Sequence, residues 1–167
     1  IEFRFIGEQA AGGPGWAIAN SGVMLHCQPI ESMGVNQDFP ISIEAQFLSG
    51  VNDSPRPTGS VCTPGTHIDI DGKLVTNHCI TSAGPTIPIN EWVTMDILVT
   101  DDLIAHIVEG DTIMQYNNPV VGGGSVDNIK EGAKVDGKKL KEGYIALQSE
   151  SHPIQFRKVL IKDLSKE

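Results

Sequence analysis

The sequence predicts an all-β fold of two sheets packed face to face. Three observations carry that prediction. Apolar and polar residues alternate with period two along most of the chain, while a 3.6-residue period is nearly absent. The alternating stretches are short. Gly, Pro and Asp turns separate them at regular intervals, the pattern of a sandwich. The 167-residue length suits one domain spanning residues 1–167, with a core of its own and no linker or internal repeat.

Taken in order, Ile1-Glu2-Phe3-Arg4-Phe5 alternates cleanly until Gly12-Gly13-Pro14-Gly15 breaks it. Ser21 to Gln28 reads as a strand with Val23, Leu25 and Cys27 on one face and Met24, His26 and Gln28 on the other. Ile41 to Phe47 is a third, burying Ile41, Ile43, Ala45 and Phe47. Asn52 to Gly59, with Pro55 and Pro57, is a surface loop. His67 to Val75 is a hairpin turning at Asp71-Gly72. Glu91–Thr100, Leu103–Glu109 and Thr112–Tyr116 follow as strands, with Trp92 packed inside. Gly122-Gly123-Gly124 and the charged stretch Asp127–Lys141 form a polar connection. Tyr144–Gln148 and Ile154–Leu164 close the chain as strands, and only Lys138–Glu142 or the tail around Lys162 suits a helical turn.

Charge narrows the partners. Twelve basic against 21 acidic side chains leave a formal charge of −9, which repels phosphate backbones and argues against nucleic acid. No apolar run approaches the ~20 residues needed to cross a bilayer as a helix, so no membrane insertion is expected. The chain opens at Ile1, inside a strand and without Met, as a processed or trimmed product would. Cys62 and Cys79 flank a turn-rich segment beginning Thr63-Pro64-Gly65, which suits a local disulfide; two buried thiols are the alternative. Such a bond would stabilise the fold by roughly 3 kcal/mol and imply an oxidising compartment, periplasmic or extracellular.

Signature motifs are mostly absent. Asp69-Ile70-Asp71-Gly72 lacks the later ligands of a calcium loop, and the glycine run 122–124 lacks the Lys-Ser/Thr and helix of a phosphate cradle. No C-x-x-C, H-E-x-x-H or G-x-S-x-G occurs. What remains is a set of polar side chains on strand faces. Glu44 and Gln46 share one face, His26 and Gln28 another, and His106 lies between Ala105 and Ile107. The densest cluster is Gln148-Ser149-Glu150-Ser151-His152, running on to Phe156-Arg157. Brought together, these groups would form a basin of amides, carboxylates and imidazoles suited to a hydroxyl-rich ligand. Trp16 is either a sugar-stacking platform or core.

Several stretches carry a resemblance: Asn20-Ser21-Gly22-Val23, Ile43-Glu44-Ala45-Gln46, Cys62-Thr63-Pro64-Gly65-Thr66 with His78-Cys79, and Gly143 through Leu147-Gln148-Ser149-Glu150-Ser151-His152 to Phe156-Arg157. Across essentially the whole chain it resembles the 3-keto-disaccharide hydrolase family of bacteria. That resemblance implies a concanavalin A-like two-sheet jelly-roll sandwich. Two departures stand out. Family members usually carry further strands before the position of Ile1, and Glu109-Gly110 stands where relatives often have Asn-Gly.

The resemblance implies a reaction. A ketone at C3 of a sugar acidifies the C2 proton; a base removes it, the C1 substituent leaves, and water adds back. Such a site needs a base, a group for the enolate oxygen and an acid for the leaving group. Transferred by position, Glu44 is the base or a metal-binding carboxylate, with Glu150 and His152 as acid/base groups. Arg157, Gln148 and Asn20 hold hydroxyls or enolate charge. Gln46, His26 and His106 complete the substrate-binding set, the two histidines being second-choice acid/base groups. With Glu44 they could also bind a divalent cation, although no spacing is diagnostic of a metal. The expected partner is a small carbohydrate. A conventional retaining glucanase would carry two carboxylates on one strand, and Glu44-Ala45-Gln46-Phe47-Leu48 has one. The other reading is a non-catalytic carbohydrate-binding module, which would ordinarily use more exposed aromatics than two Trp and two Tyr.

Overall fold

A computed structural model describes residues 1–166. Thirteen strands run in chain order: β1 Glu2–Phe5, β2 Asn20–Cys27, β3 Ile43–Gly50, β4 Ser60–Cys62, β5 Thr66–Ile70, β6 Lys73–Val75 and β7 Cys79–Ile80, then β8 Ile87–Pro88, β9 Val93–Val99, β10 Ile104–Val108, β11 Asp111–Val121, β12 Tyr144–Leu147 and β13 Ile154–Lys158. They form two sheets. The first has the order β13-β1-β9-β10-β11-β5-β6; the second runs β12-β2-β3-β4-β7, with β8 pairing parallel to β3. This is a two-sheet sandwich that fits the concanavalin A-like jelly roll.

Alternation decides what enters the core. Phe3 and Phe5 of β1 are wholly buried and face Ile43, Ala45 and Phe47 of β3, with Val23 and Leu25 of β2 beside them. Phe3 stacks on Phe47 at 4.0 Å between ring centroids and meets Phe5 edge-on at 6.2 Å. Both faces of β2 and β3 are covered, so their outward-facing polar residues are enclosed too. The chain crosses between sheets at Thr63-Pro64-Gly65, where Gly65 donates to Gly124 O and accepts from Gly122 N.

Several boundaries differ from the sequence reading. The strand after the Asp101-Asp102 turn pairs with β11, which continues through Asn117, Asn118 and Pro119 to Val121. The final strand stops at Lys158, and Val159, Leu160 and Ile161 lie outside any sheet. The very short β4, β7 and β8 carry too few residues to show alternation and were not expected. Residues 138–142 make no helical turn; Lys139 instead bridges to Val120, and a 3-10 turn occurs at Leu164–Lys166. Trp92 is half-buried outside the core, beneath the guanidinium groups of Arg4 at 4.6 Å and Arg157 at 4.4 Å. Among the described residues no helix is long and apolar enough to cross a membrane.

Candidate functional site

The register of β2 against β3 builds the site. Asn20 pairs with Leu48, Gly22 with Gln46 and Met24 with Glu44. Because Val23, Ala45 and Phe47 point into the core, period two turns Asn20, Gly22, Glu44 and Gln46 to the opposite face of the sheet. β4 extends that face, with Cys62 opposite Glu44 and Ser60 opposite Gln46. On the other flank Leu147 pairs with Val23, so Gln148 stands opposite Gly22, its backbone N–H donating to Gly22 O. A cavity of about 510 Å³ lies over this face. Glu44, Gln46, Asn20 and Glu150 line it, together with Trp16, Asp38, Arg56, His78 and Asp127.

Gly22 gives Glu44 its room. A Cβ at Gly22 would stand 2.5 Å from Glu44 Oε1, so the carboxyl leans across the bare glycine backbone toward the flank that carries β12. Glu44 is only 6% exposed. Burial, joined by repulsion from Glu150, raises its pKa to about 8. Burial alone raises Glu150 to about 7. Glu44 Oε1, Glu150 Oε2 and both amide atoms of Gln148 are buried without a hydrogen-bonding partner. Orphan polar atoms of this kind cost roughly 1–3 kcal/mol each, so a cluster of them on one face is an arrangement a ligand would relieve.

Around the carboxyls the polar groups are ordered. Gln46 Nε2 donates to Asn20 Oδ1 at 3.2 Å, and Asn20 Nδ2 donates to Trp16 O at 3.1 Å. That ladder fixes both amides and ties the sheet to the 3-10 turn Gly15–Ala17, which holds Trp16 61% exposed at the cavity. Arg56 is anchored by Nη1 donating to Ser49 O at 2.8 Å and places a cation in the same cavity. Sequence reasoning missed Arg56, which sits between Pro55 and Pro57 in a surface loop. It also missed Asp38, Asp127 and His78, since nothing in local periodicity marks residues delivered by loops.

Four expected site residues lie elsewhere. His106 is fully buried: Nδ1 lies 2.8 Å from Gly59 O and Nε2 lies 3.0 Å from the Tyr116 hydroxyl. A carbonyl can only accept, so Nδ1 carries the proton and Nε2 accepts from the phenol. Burial lowers the His106 pKa to about 4 and keeps the ring neutral. Its parity with Ile104 and Val108, both core residues, was the signal that it faces inward. His26 adopts a positive φ of 52°, which interrupts the alternation of β2, and it lines a separate cavity with Thr100, Asn117 and Lys139. Arg157 is on the outer face of the first sheet, since Ile154 and Phe156 point inward; it ion-pairs with Glu2 and lies over Trp92.

His152, the fourth, does not line the cavity. It is buried edge-on against Phe5, at 5.7 Å between ring centroids. Neither ring nitrogen has a well-formed hydrogen bond, the Ile6 backbone giving only a weak favourable contact. Burial, aided by the Arg56 charge, pulls its pKa below the usual histidine value. Glu44, His26 and His106 therefore share no common space for a divalent cation. Cys62 and Cys79 are joined by a disulfide, while Cys27 is a free thiol that burial raises to about 11.

The family model described as a 3-keto-alpha-glucoside-1,2-lyase-like domain matches residues 1–162, so the chain belongs to that family, a family of glycoside-processing enzymes. No curated protein and no solved structure matches the chain.

Proposed function

We propose that this member of the family cleaves 3-keto-glycosides by elimination across C1 and C2, followed by addition of water. The observation that carries this reading is the Glu44–Glu150 pair: one carboxyl from β3 and one from the loop after β12, both with raised pKa values and with unpartnered oxygens in one cavity. Groups whose pKa lies near the working pH can both take and give a proton. Glu150 is the more exposed and holds a charge at less cost, which suits it to the base; the more deeply buried Glu44 suits the acid. This moves Glu44 from the base that the resemblance implied to the acid, and keeps Glu150 as an acid/base group.

In the first step the base takes the C2 proton, and the C–H electron pair forms the C2–C3 double bond of an enolate whose oxygen carries the charge. Arg56 supplies a cation for that oxygen. The enolate then collapses. A C1–C2 double bond forms, the C1–O bond breaks, and the leaving oxygen takes the proton from Glu44. Water adding across the new double bond returns the 3-keto sugar. The Asn20–Gln46 ladder offers donors and acceptors for hydroxyls, and Trp16 a face for a sugar ring. The disulfide supports an oxidising compartment, outside the cytoplasm.

The test compares a 3-keto-glucoside with its unoxidised parent. Release of the aglycone from the keto-sugar alone, with C2 hydrogen exchanging into deuterated water, is the expected result. Equal cleavage of the unoxidised glycoside would overturn the elimination mechanism. Tight binding of glycans without turnover of any keto-sugar would instead assign the exposed Trp16 and the amide ladder to a binding module.

A further inference from the structure

The wall of the cavity beside Glu44 contains a second cluster whose chemistry the carboxyl pair does not use. Cys62 and Cys79 are directly opposed on β4 and β7, with Cα atoms 4.1 Å apart, and the ligand atoms of Cys62, Cys79 and His78 all lie within 4.8 Å of one another. All three residues line the cavity. We propose that reduction of the disulfide converts Cys62, Cys79 and His78 into a binding site for a soft or borderline divalent cation such as zinc or cadmium.

The physical case begins with the strands. β4 is held by β3 on its other side, so pairing within the sheet keeps the two sulfurs facing each other after the bond opens. Zinc–thiolate bonds of about 2.3 Å put two sulfurs of a tetrahedral site about 3.8 Å apart, a separation that cross-strand neighbours can meet with small side-chain rotations. His78 follows from the same short segment. Its carbonyl accepts from Thr63 N at 2.8 Å and from Thr63 Oγ1 at 3.1 Å, which ties its backbone beside Cys62. An imidazole supplies a nitrogen lone pair that suits zinc and cadmium. Two thiolates and an imidazole select softer metals over magnesium or calcium, and three protein ligands leave the fourth position for water or a molecule in the cavity.

Both exposed members make the chemistry accessible. Cys79 and His78 are open to solvent while Cys62 is buried, so a reductant can reach the bond from the Cys79 side. A dithiol supplies two electrons and two protons and closes to its own disulfide, leaving two thiols on the protein. A divalent cation then displaces those two protons and is bound by two thiolates and the His78 nitrogen lone pair. The site stands or falls independently of the reaction at Glu44 and Glu150.

The experiment uses the whole chain, reduced with a water-soluble phosphine under inert gas, cleared of reductant and titrated with Cd²⁺. The expected result is one equivalent bound, with thiolate-to-metal charge-transfer absorption, and none in the oxidised protein. His78→Ala, at an exposed position, should weaken binding by roughly tenfold or more, judged by the magnitude that lost support of a metal ligand carries. Cys62→Ser/Cys79→Ser should abolish the absorption. The proposal is overturned if the reduced chain shows no such absorption, or if reduction removes its β-sheet circular dichroism. It is equally overturned if His78→Ala binds as tightly as the parent, or if the double serine variant keeps the absorption, which would trace it to Cys27.

Discussion

Two groups of titratable side chains are gathered against the two sheets, and they differ in one respect. His106 and Tyr116, on β10 and β11, close a hydrogen-bonded set with Gly59 O in which every polar atom named has a partner. Glu44 and Glu150, over the β2–β3 face, leave oxygens buried and unpartnered, and Gln148 beside them leaves its whole amide so. The first arrangement joins β10 of one sheet to the Gly59 turn that leads into β4 of the other. The second costs stability and is retained in a cavity large enough for a sugar. Burial alone therefore does not mark a functional group, and neither does a lone orphan such as His152; unpartnered groups gathered at one cavity do.

That contrast can be broken most directly at Glu44. Glu44→Gln keeps the shape and removes the titratable group, so turnover of a 3-keto-glucoside should fall about 10²–10⁴-fold with the fold intact, read by steady-state kinetics beside thermal unfolding. A fall in stability with unchanged turnover would place Glu44 with His106 as a structural group. Gly22→Ala probes the same carboxyl without touching it. The new Cβ would stand 2.5 Å from Glu44 Oε1, 2.7 Å from its Cγ and 3.0 Å from Ala45 O, so stability should fall by about 1–3 kcal/mol while a displaced carboxyl costs on the order of 10²-fold in rate among folded molecules.

His106→Ala should do the reverse. It strips the partners from Gly59 O and the Tyr116 hydroxyl and leaves a void, costing about 2–4 kcal/mol in denaturant unfolding while folded molecules keep their activity. The two groups also respond to pH with opposite signs. The His106 pKa is lower folded than unfolded, so its contribution is complete above about 6.5 and is lost as pH falls toward about 4. The Glu44 pKa is higher folded than unfolded, so its contribution is complete below about 4.5 and is lost as pH rises toward about 8. Unfolding free energy measured across that range should flatten on the acid side in His106→Phe and on the alkaline side in Glu44→Gln. The smallest effect is expected at Arg157→Ala. Its ion pair with Glu2 is on the surface, so the unfolding midpoint should barely move and turnover not at all.

Much of this molecule was legible in the order of its residues. Alternation in Ile1–Phe5, Ser21–Gln28 and Ile41–Phe47 carries the sandwich, because period two assigns each side chain to a face before any partner strand is known. The same rule put Glu44 and Gln46 together, while Gln148 and Glu150 were marked only by the density of polar groups from 148 to 152. It also puts His106 on the face of Ile104 and Val108, inside the core rather than among the outward polar groups. Only tertiary structure decided the rest. A positive φ at His26 turned that ring out of register, and a Pro-flanked loop delivered Arg56 where Arg157 had been expected. Strand pairing set Cys62 beside Glu44, and the absence of a side chain at Gly22 gave that carboxyl its space. Periodicity is a property of neighbours along the chain and fixes which way a residue faces. Which residues share a cavity depends on contacts between distant segments, and those exist only once the sheets have closed.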